Sequence, residues 1–120
     1  MVHMRYVHIL LGLVMVAFAA VQYNDPDAPL WIAIYMVPAG WAFAAAFRLP
    51  QVRSMAGIRW LWASVIAGIA TVVYYWPTTP GFWQKDVWWE DEAAREGMGV
   101  MIGLVVLLVV LFTALRKPAA

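Results

Sequence analysis

The chain has 120 residues, of which 65% are hydrophobic and 12% are charged, and its mean hydropathy is +0.75. Soluble domains contain about 50% apolar and about 25% charged residues, so this composition excludes a soluble globular domain and indicates an integral membrane protein. A formal net charge of +1 and a lack of cysteine offer no basic surface for nucleic acid and exclude disulfides, thiolate nucleophiles and iron–sulfur clusters.

Four apolar segments are each long enough to cross a hydrocarbon core about 30 Å thick. In chain order, the predicted spans cover about residues 6–22, 30–47, 58–76 and 97–115. A tight turn, a basic loop and a longer outer connection join them, and none is long enough to form a separate domain. The sequence therefore predicts a single all-α membrane domain over residues 1–120, folded as an integral membrane four-helix bundle.

The charged residues are sorted between the two ends of the spans. All seven acidic residues fall on one side, together with Lys85 and Arg95. The other six basic residues fall on the opposite side: Arg5, Arg48, Arg53, Arg59, Arg116 and Lys117. Because basic loops tend to remain in the cytoplasm, this asymmetry predicts that both termini are cytoplasmic, and we expect the location to be the bacterial inner membrane.

Two further features bear on this topology. Arg5, the apolar run after it and the triplet Ala17-Phe18-Ala19 also fit a cleaved signal peptide, but an even number of spans with both basic ends inside favours a retained first span. Aromatic side chains collect on the acidic side, and the tryptophan-rich segment Gly81–Trp89 is predicted to lie along that membrane interface.

Small and polar residues recur at intervals of three and four in three of the spans, so that each set shares one helix face. The sets are His8, Gly12, Met15, Ala19 and Gln22 in the first span, Ser64, Gly68, Thr71 and Tyr75 in the third, and Glu92, Glu96, Gly99 and Gly103 in the fourth. Membrane helices associate by close packing over small residues, so these faces are expected to meet inside the bundle. His8 is expected to form an interhelical hydrogen bond rather than to hold a cofactor.

The first polar motif follows the first span and contains Gln22, Asn24, Asp25 and Asp27. An acid ahead of a proline is typical of a helix N-cap, which would account for Asp25 or Asp27. A cap requires only one acid, however, and ionisable groups near a membrane are commonly paired or functional. The excess of polar groups therefore makes this turn a candidate ligand-binding site.

The second polar motif, Trp88–Glu96, leads into the fourth span. Its acids could simply complement the helix dipole, and Asp91 could pair with Arg95 one turn later. Glu92 and Glu96, however, share the close-packing face and are predicted to point inward, where they would repel the acids of the first motif. Arg95, a proton on a carboxyl of raised pKa, or a bound cation could relieve this repulsion.

If the two motifs meet, they form an oxygen-rich cluster that suits a divalent cation such as calcium, magnesium or manganese. The candidate metal ligands are Asp25, Asp27, Glu92 and Glu96. No serine or cysteine stands beside a histidine to make a nucleophile–base pair, so an enzyme is not expected.

Several of these residues together resemble the transmembrane protein 220 family. The resemblance rests on Gln22-Tyr23-Asn24-Asp25-Pro26-Asp27, followed by Trp31 and Tyr35, and on Glu92, Arg95, Glu96 and Gly97. It covers nearly the whole chain and implies a small four-helix membrane protein with polar motifs on one side, without an established activity. It also adds Trp31 and Tyr35 to the candidate ligand-binding set of Gln22, Asn24, Asp25, Asp27, Glu92, Arg95 and Glu96.

Two functions are favoured at this point, ahead of a transporter, which would need an oligomer because four spans give a thin pathway, and of an enzyme that acts on lipid. In the first, the protein binds a cation or a small basic ligand in an outward-facing acidic pocket, with Arg95 as an internal counter-charge. In the second, it is an accessory or assembly subunit of a larger membrane complex, and the acids serve as helix caps and salt bridges. The expected partners are the lipid bilayer and either another membrane protein or a second copy of the chain, but not nucleic acid.

Overall fold

The computed structural model describes residues 2–116, with side chains from residue 4 onward, so Lys117 and the residues after it lie outside the described part. All regular structure in this part is helical. The helices are α1 (Val2–Ala20), α2 (Ala28–Phe47), α3 (Leu49–Val52), α4 (Met55–Tyr74), α5 (Lys85–Glu90) and α6 (Glu92–Leu115).

The four long helices pack around a shared apolar core. α1 packs mainly against α2, whereas α6 packs against both α2 and α4. Small residues allow these close approaches: Gly12 of α1 lies against the ring of Phe43, and Gly68 of α4 lies against Leu107 of α6. Close packing over small residues is the main force that holds membrane helices together, because lipid provides no hydrophobic drive for their association.

One face of α1 is buried, as the sequence pattern predicts. His8, Gly12, Met15 and Ala19 are buried at intervals of three and four, while the side chains on the opposite face are exposed. The helix ends at Ala20, two residues before the predicted end of the first span. The chain then forms a tight turn, in which the amide of Gln22 donates to the carbonyl of Ala19.

In the described residues, three helices are long and apolar enough to cross a membrane: α2, α4 and α6. α1 is apolar over Met4–Ala20, which makes it shorter than the others. α4 is the most peripheral of the three, with only 11% of its apolar window buried inside the protein. Its outer face therefore contacts the lipid bilayer.

The predicted basic residues lie near one end of the helices, where two of them donate hydrogen bonds to backbone carbonyls. Arg5 donates to the carbonyl of Ala46, and Arg53 donates to the carbonyls of Thr113 and Arg116. Such bonds satisfy carbonyl groups that a helix leaves free at its C-terminus. The beginning of α1 therefore lies beside the end of α2, and the residue after α3 lies beside the end of α6.

His8 forms the interhelical hydrogen bond expected from the sequence. Its side chain is 1% exposed, and Nε2 lies 3.0 Å from the Thr113 hydroxyl oxygen. That hydroxyl donates to the carbonyl of Val109. Since the hydroxyl proton is used there, Nε2 of His8 must be the donor in the bond to Thr113.

Candidate ligand-binding cavity at the acidic end

The first acidic motif forms the tight turn between α1 and α2. The amide of Asp25 donates to the carbonyl of Gln22, and the carbonyl of Asp25 accepts from Ala28 at the start of α2. These bonds leave Gln22 and Asp25 partly buried and turn Asn24 outward, where its side chain is exposed. The turn thus directs only part of the motif toward the rest of the protein.

Asp27 precedes α2 at the N-cap position, but its side chain forms no capping hydrogen bond. Its Oδ2 instead accepts a hydrogen bond of 3.0 Å from Nε1 of Trp31. Trp31 is 1% exposed, and its ring lies 6.0 Å from that of Tyr35 and 4.9 Å from that of Tyr75, measured between centroids. Asp27 therefore orients a buried aromatic cluster.

The second acidic motif meets the first at the beginning of α6. Glu92 is exposed and Glu96 is partly buried, one helical turn apart, and their carboxyl groups lie close enough to interact electrostatically. The carboxyl groups of Asp25 and Asp27 also lie close enough to Glu96 to interact with it electrostatically. Two facing carboxyl groups need a proton or a cation between them, because two bare carboxylates would repel each other.

Arg95 does not serve as the partner of these carboxyl groups. Its Nη1 donates to the carbonyls of Trp88 and Trp89, at 3.1 Å and 2.7 Å, and so caps the end of α5. Asp91 is also engaged elsewhere, because its Oδ2 accepts a 2.5 Å hydrogen bond from Thr79. The spacing of four residues allows Asp91 to pair with Arg95, but each side chain instead holds the loop before α6.

Tyr35 reaches the same region from α2. Its side chain is 4% exposed, and its ring lies edge-on to Phe18, with centroids 5.4 Å apart. The hydroxyl packs against Gly99 of α6, where there is no room for a β-carbon. Among the described residues, this hydroxyl has no hydrogen-bond partner, although it lies close enough to Glu96 for an electrostatic interaction.

These side chains surround a cavity of about 650 Å³, which we call the acidic cavity. Its wall is formed by Phe18, Val21, Gln22, Asp25, Tyr35, Trp88, Glu92, Arg95, Glu96, Met98, Gly99 and Ile102. The wall therefore combines residues from α1, the first turn, α2, α5 and α6.

Six of the nine residues predicted for the site line the acidic cavity: Gln22, Asp25, Tyr35, Glu92, Arg95 and Glu96. The other three do not: Asn24 points outward, Asp27 bonds to Trp31, and Trp31 is buried in the aromatic cluster. The apolar wall residues were not among the predicted site residues, although Phe18 precedes Gln22 by one helical turn and the helical spacing places both on one face.

The four predicted metal ligands do not form a preformed metal site. Within the described residues, no three side chains of His, Asp or Glu come together in a way that could hold a metal ion. Asp27 contributes to this outcome because one of its oxygens is used by Trp31. A metal site built by all four carboxyl groups stays a prediction that requires these side chains to move.

An all-helical chain with three apolar helices of membrane-spanning length defines a small integral membrane protein. Comparison with protein-family models identifies the family: the model described as "Transmembrane family 220, helix" matches residues 14–112. The chain belongs to this family, and the resemblance found in its polar motifs is confirmed. Comparisons with curated proteins and with solved structures gave no match.

Proposed function

We propose that this protein binds a cation or a small basic ligand in the acidic cavity. The observation that carries the proposal is the meeting of three carboxyl groups, from Asp25, Glu92 and Glu96, on one cavity although they come from segments far apart in the sequence. The guanidinium of Arg95, which lines the same cavity, is bonded to backbone carbonyls. A bound positive charge would relieve the repulsion among the carboxyl groups.

The competing explanation, that the acids serve as helix caps, has less support. Asp27 and Asp91 occupy the N-cap positions of α2 and α6, yet neither side chain forms a capping hydrogen bond. The acids that line the cavity lie outside these cap positions. Helix capping therefore does not account for the carboxyl groups that converge on the cavity.

Thermal unfolding of the purified protein in detergent tests the proposal. After chelation, we would add calcium, magnesium, manganese or a series of alkylammonium salts. A ligand that binds only the folded state stabilises it by RT ln(1 + [L]/Kd), which is about 2.7 kcal/mol at 100 times Kd. We expect a saturable rise in the unfolding midpoint with at least one of these cations.

The rise should be lost in Glu96→Gln and in Asp25→Asn. Glu90→Gln is the matched control, because Glu90 is an exposed acid on α5 outside the cavity wall, and this variant should respond like the wild type. If no metal or ammonium ion raises the midpoint, or if Glu90→Gln removes the effect as fully as Glu96→Gln, the proposal is wrong.

For the membrane arrangement, we propose a four-helix bundle with α1 as the first span, in the bacterial inner membrane. The basic end would face the cytoplasm and the acidic cavity would face outward, as the positive-inside rule predicts. Because the chain has no cysteine, single-cysteine variants are easy to interpret. A membrane-impermeant maleimide should label Asn24→Cys in intact cells and Gln51→Cys only after lysis; the reverse pattern would place the cavity on the cytoplasmic side.

The second candidate function is an accessory subunit of a membrane complex, which the surface of α4 favours. Only Leu61 and Val65 of this twenty-residue helix are buried. An apolar groove of about 420 Å³ runs beside it, between α2 and α6. A stoichiometric partner that co-purifies in mild detergent, and is lost when Ile66 and Ile69 on the exposed face are both changed to Ser, would support this role. A monomeric protein without such a partner would refute it.

A further inference from the structure

The acidic cavity is polar at one end and apolar at the other. Glu92 and Glu96 lie at its polar end, whereas Met98 and Ile102 line it further along α6. Ile102 follows Glu96 by six residues, which corresponds to about 9 Å along the helix axis. A metal ion, whose ligands lie about 2–2.6 Å away, would occupy only the polar end. The length and the 650 Å³ volume suit an organic ligand of moderate size.

The Tyr35 hydroxyl indicates which chemical group belongs at the polar end. Tyr35 lines the cavity, and its hydroxyl bonds to none of the described residues, so it is available to bond to a ligand there. The hydroxyl oxygen accepts hydrogen bonds, and the nearby carboxylate of Glu96 also accepts. A group that offers several N–H donors and a positive charge fits both acceptors together.

The remaining wall fits the non-polar part of such a ligand. Trp88 borders the carboxyl groups, and aromatic faces attract alkylammonium ions. Val21 and Ile102 are exposed on the protein surface as well as lining the cavity, so the apolar end opens toward the surrounding lipid. An apolar tail could therefore enter without crossing the carboxyl groups.

We infer that the acidic cavity binds a primary ammonium ion that carries an apolar tail. The ammonium group lies between the carboxyl groups and donates to the Tyr35 hydroxyl, while the tail lies along Met98 and Ile102. This inference rests on the proposed function and names the ligand class of the same site. A primary ammonium group occurs both in a free long-chain amine and in the ethanolamine headgroup of a membrane lipid, where a phosphate separates it from the apolar chains.

The test compares four probes by thermal unfolding of the full chain in detergent: octylammonium, ethylammonium, octyltrimethylammonium and octanol. Each methylene that is buried strengthens binding about fourfold. Burial of only three of the six extra methylenes of octylammonium should therefore make it bind more than about 50-fold tighter than ethylammonium. Octanol lacks the charge and should not raise the midpoint. Octyltrimethylammonium has no N–H donor and should bind more weakly than octylammonium.

Tyr35→Phe is the decisive variant, because it removes only the hydroxyl and keeps the ring contacts with Phe18 and Trp31. The unliganded midpoint should not fall, since the hydroxyl has no partner to lose. Octylammonium should bind about tenfold more weakly, while octyltrimethylammonium should bind as it does to the wild type. Glu96→Gln should weaken both probes, and Glu90→Gln should weaken neither.

The outcomes separate this inference from the proposed function. If only calcium, magnesium or manganese raises the midpoint, the cavity binds a cation as proposed but the ammonium inference is wrong. If octanol acts as well as octylammonium, or if Tyr35→Phe affects both octyl ammonium probes equally, the inference is also wrong. If no cation of either kind acts, both the proposal and the inference fail.

Lipid nanodiscs with and without phosphatidylethanolamine distinguish the two sources of the ammonium group. If the lipid is the ligand, the wild type should unfold at a higher temperature in the discs that contain it, and Glu96→Gln should not. If the midpoints are equal while octylammonium still binds, the ligand is a free amine.

Discussion

Gly99 on α6 is the residue whose substitution tests the placement of Tyr35 most directly. A β-carbon at Gly99 would overlap the Tyr35 hydroxyl and would lie 3.0 Å from Cζ of the same ring. The ring has little freedom to move, because it is 4% exposed and packs between Phe18 and Trp31. Overpacking of this kind costs about 1–3 kcal/mol. Alanine has a higher helix propensity than glycine, which offsets about 1 kcal/mol of this cost. Gly99→Ala should therefore destabilise the protein by about 0–2 kcal/mol.

Gly103, one turn later on the same helix face, is the matched control. A β-carbon there would lie 3.5 Å from Cγ of Pro38, which is an ordinary contact. Gly103→Ala should therefore be neutral or stabilising by up to about 1 kcal/mol, since only the helix propensity changes. Reversible unfolding by dodecyl sulfate in mixed micelles, followed by circular dichroism, measures both variants. Gly99→Ala should be the less stable of the two by about 1–3 kcal/mol.

The double variant of Gly99→Ala with Tyr35→Phe identifies the cause. Removal of the hydroxyl relieves the worst overlap, although Cζ remains close, so the double variant should recover about 1 kcal/mol relative to the sum of the single changes. If the two changes add within about 0.5 kcal/mol, or if Gly99→Ala is as stable as Gly103→Ala, the hydroxyl does not lie against Gly99 and the structure of the cavity wall is wrong.

Three further predictions concern hydrogen bonds and use the same unfolding measurement. Ser54→Ala removes the side-chain acceptor that caps α4 at 3.0 Å and should cost about 0.5–2 kcal/mol, whereas Ser54→Asp should retain most of the stability. Thr113→Val removes the one described partner of the buried His8 ring and should cost about 1–3 kcal/mol; an effect below about 0.5 kcal/mol would contradict this bond. Trp31→Phe removes the donor to Asp27 and part of a buried ring, so it should destabilise, and Asp27→Asn, which keeps an acceptor, should destabilise less.

The packing of the first helix could be predicted from the sequence because it depends on a regular spacing. His8, Met15 and Ala19 fall on one helix face, and the structure buries all three. The end of that helix could not be predicted as accurately. α1 ends at Ala20 because the following residues form a tight turn held by their own backbone hydrogen bonds, and hydropathy alone carries no information about those bonds.

The site was harder to predict because each of its polar side chains has several possible hydrogen-bond partners. The sequence places Asp27 and Arg95 beside other charged groups, and charge alone suggests that they pair with them. In the structure, Asp27 accepts from Trp31, and Arg95 donates to backbone carbonyls at the end of α5. Both hydrogen bonds depend on where the Trp31 indole and the end of α5 lie in three dimensions. Spacing along the chain does not specify these positions.

The hydrogen-bond partners divide the polar groups of the acidic end into two kinds. Asp27, Asp91 and Arg95 each form hydrogen bonds that hold a ring, a loop or a helix end. By contrast, no hydrogen bond from Glu92 or Glu96 holds such an element among the described residues; these two carboxyl groups lie one turn apart on α6 and repel each other. Groups of the first kind account for the fold. Those of the second kind raise the free energy of the folded state unless a proton or a cation lies between them, and the cation is the physical reason to look for a ligand there.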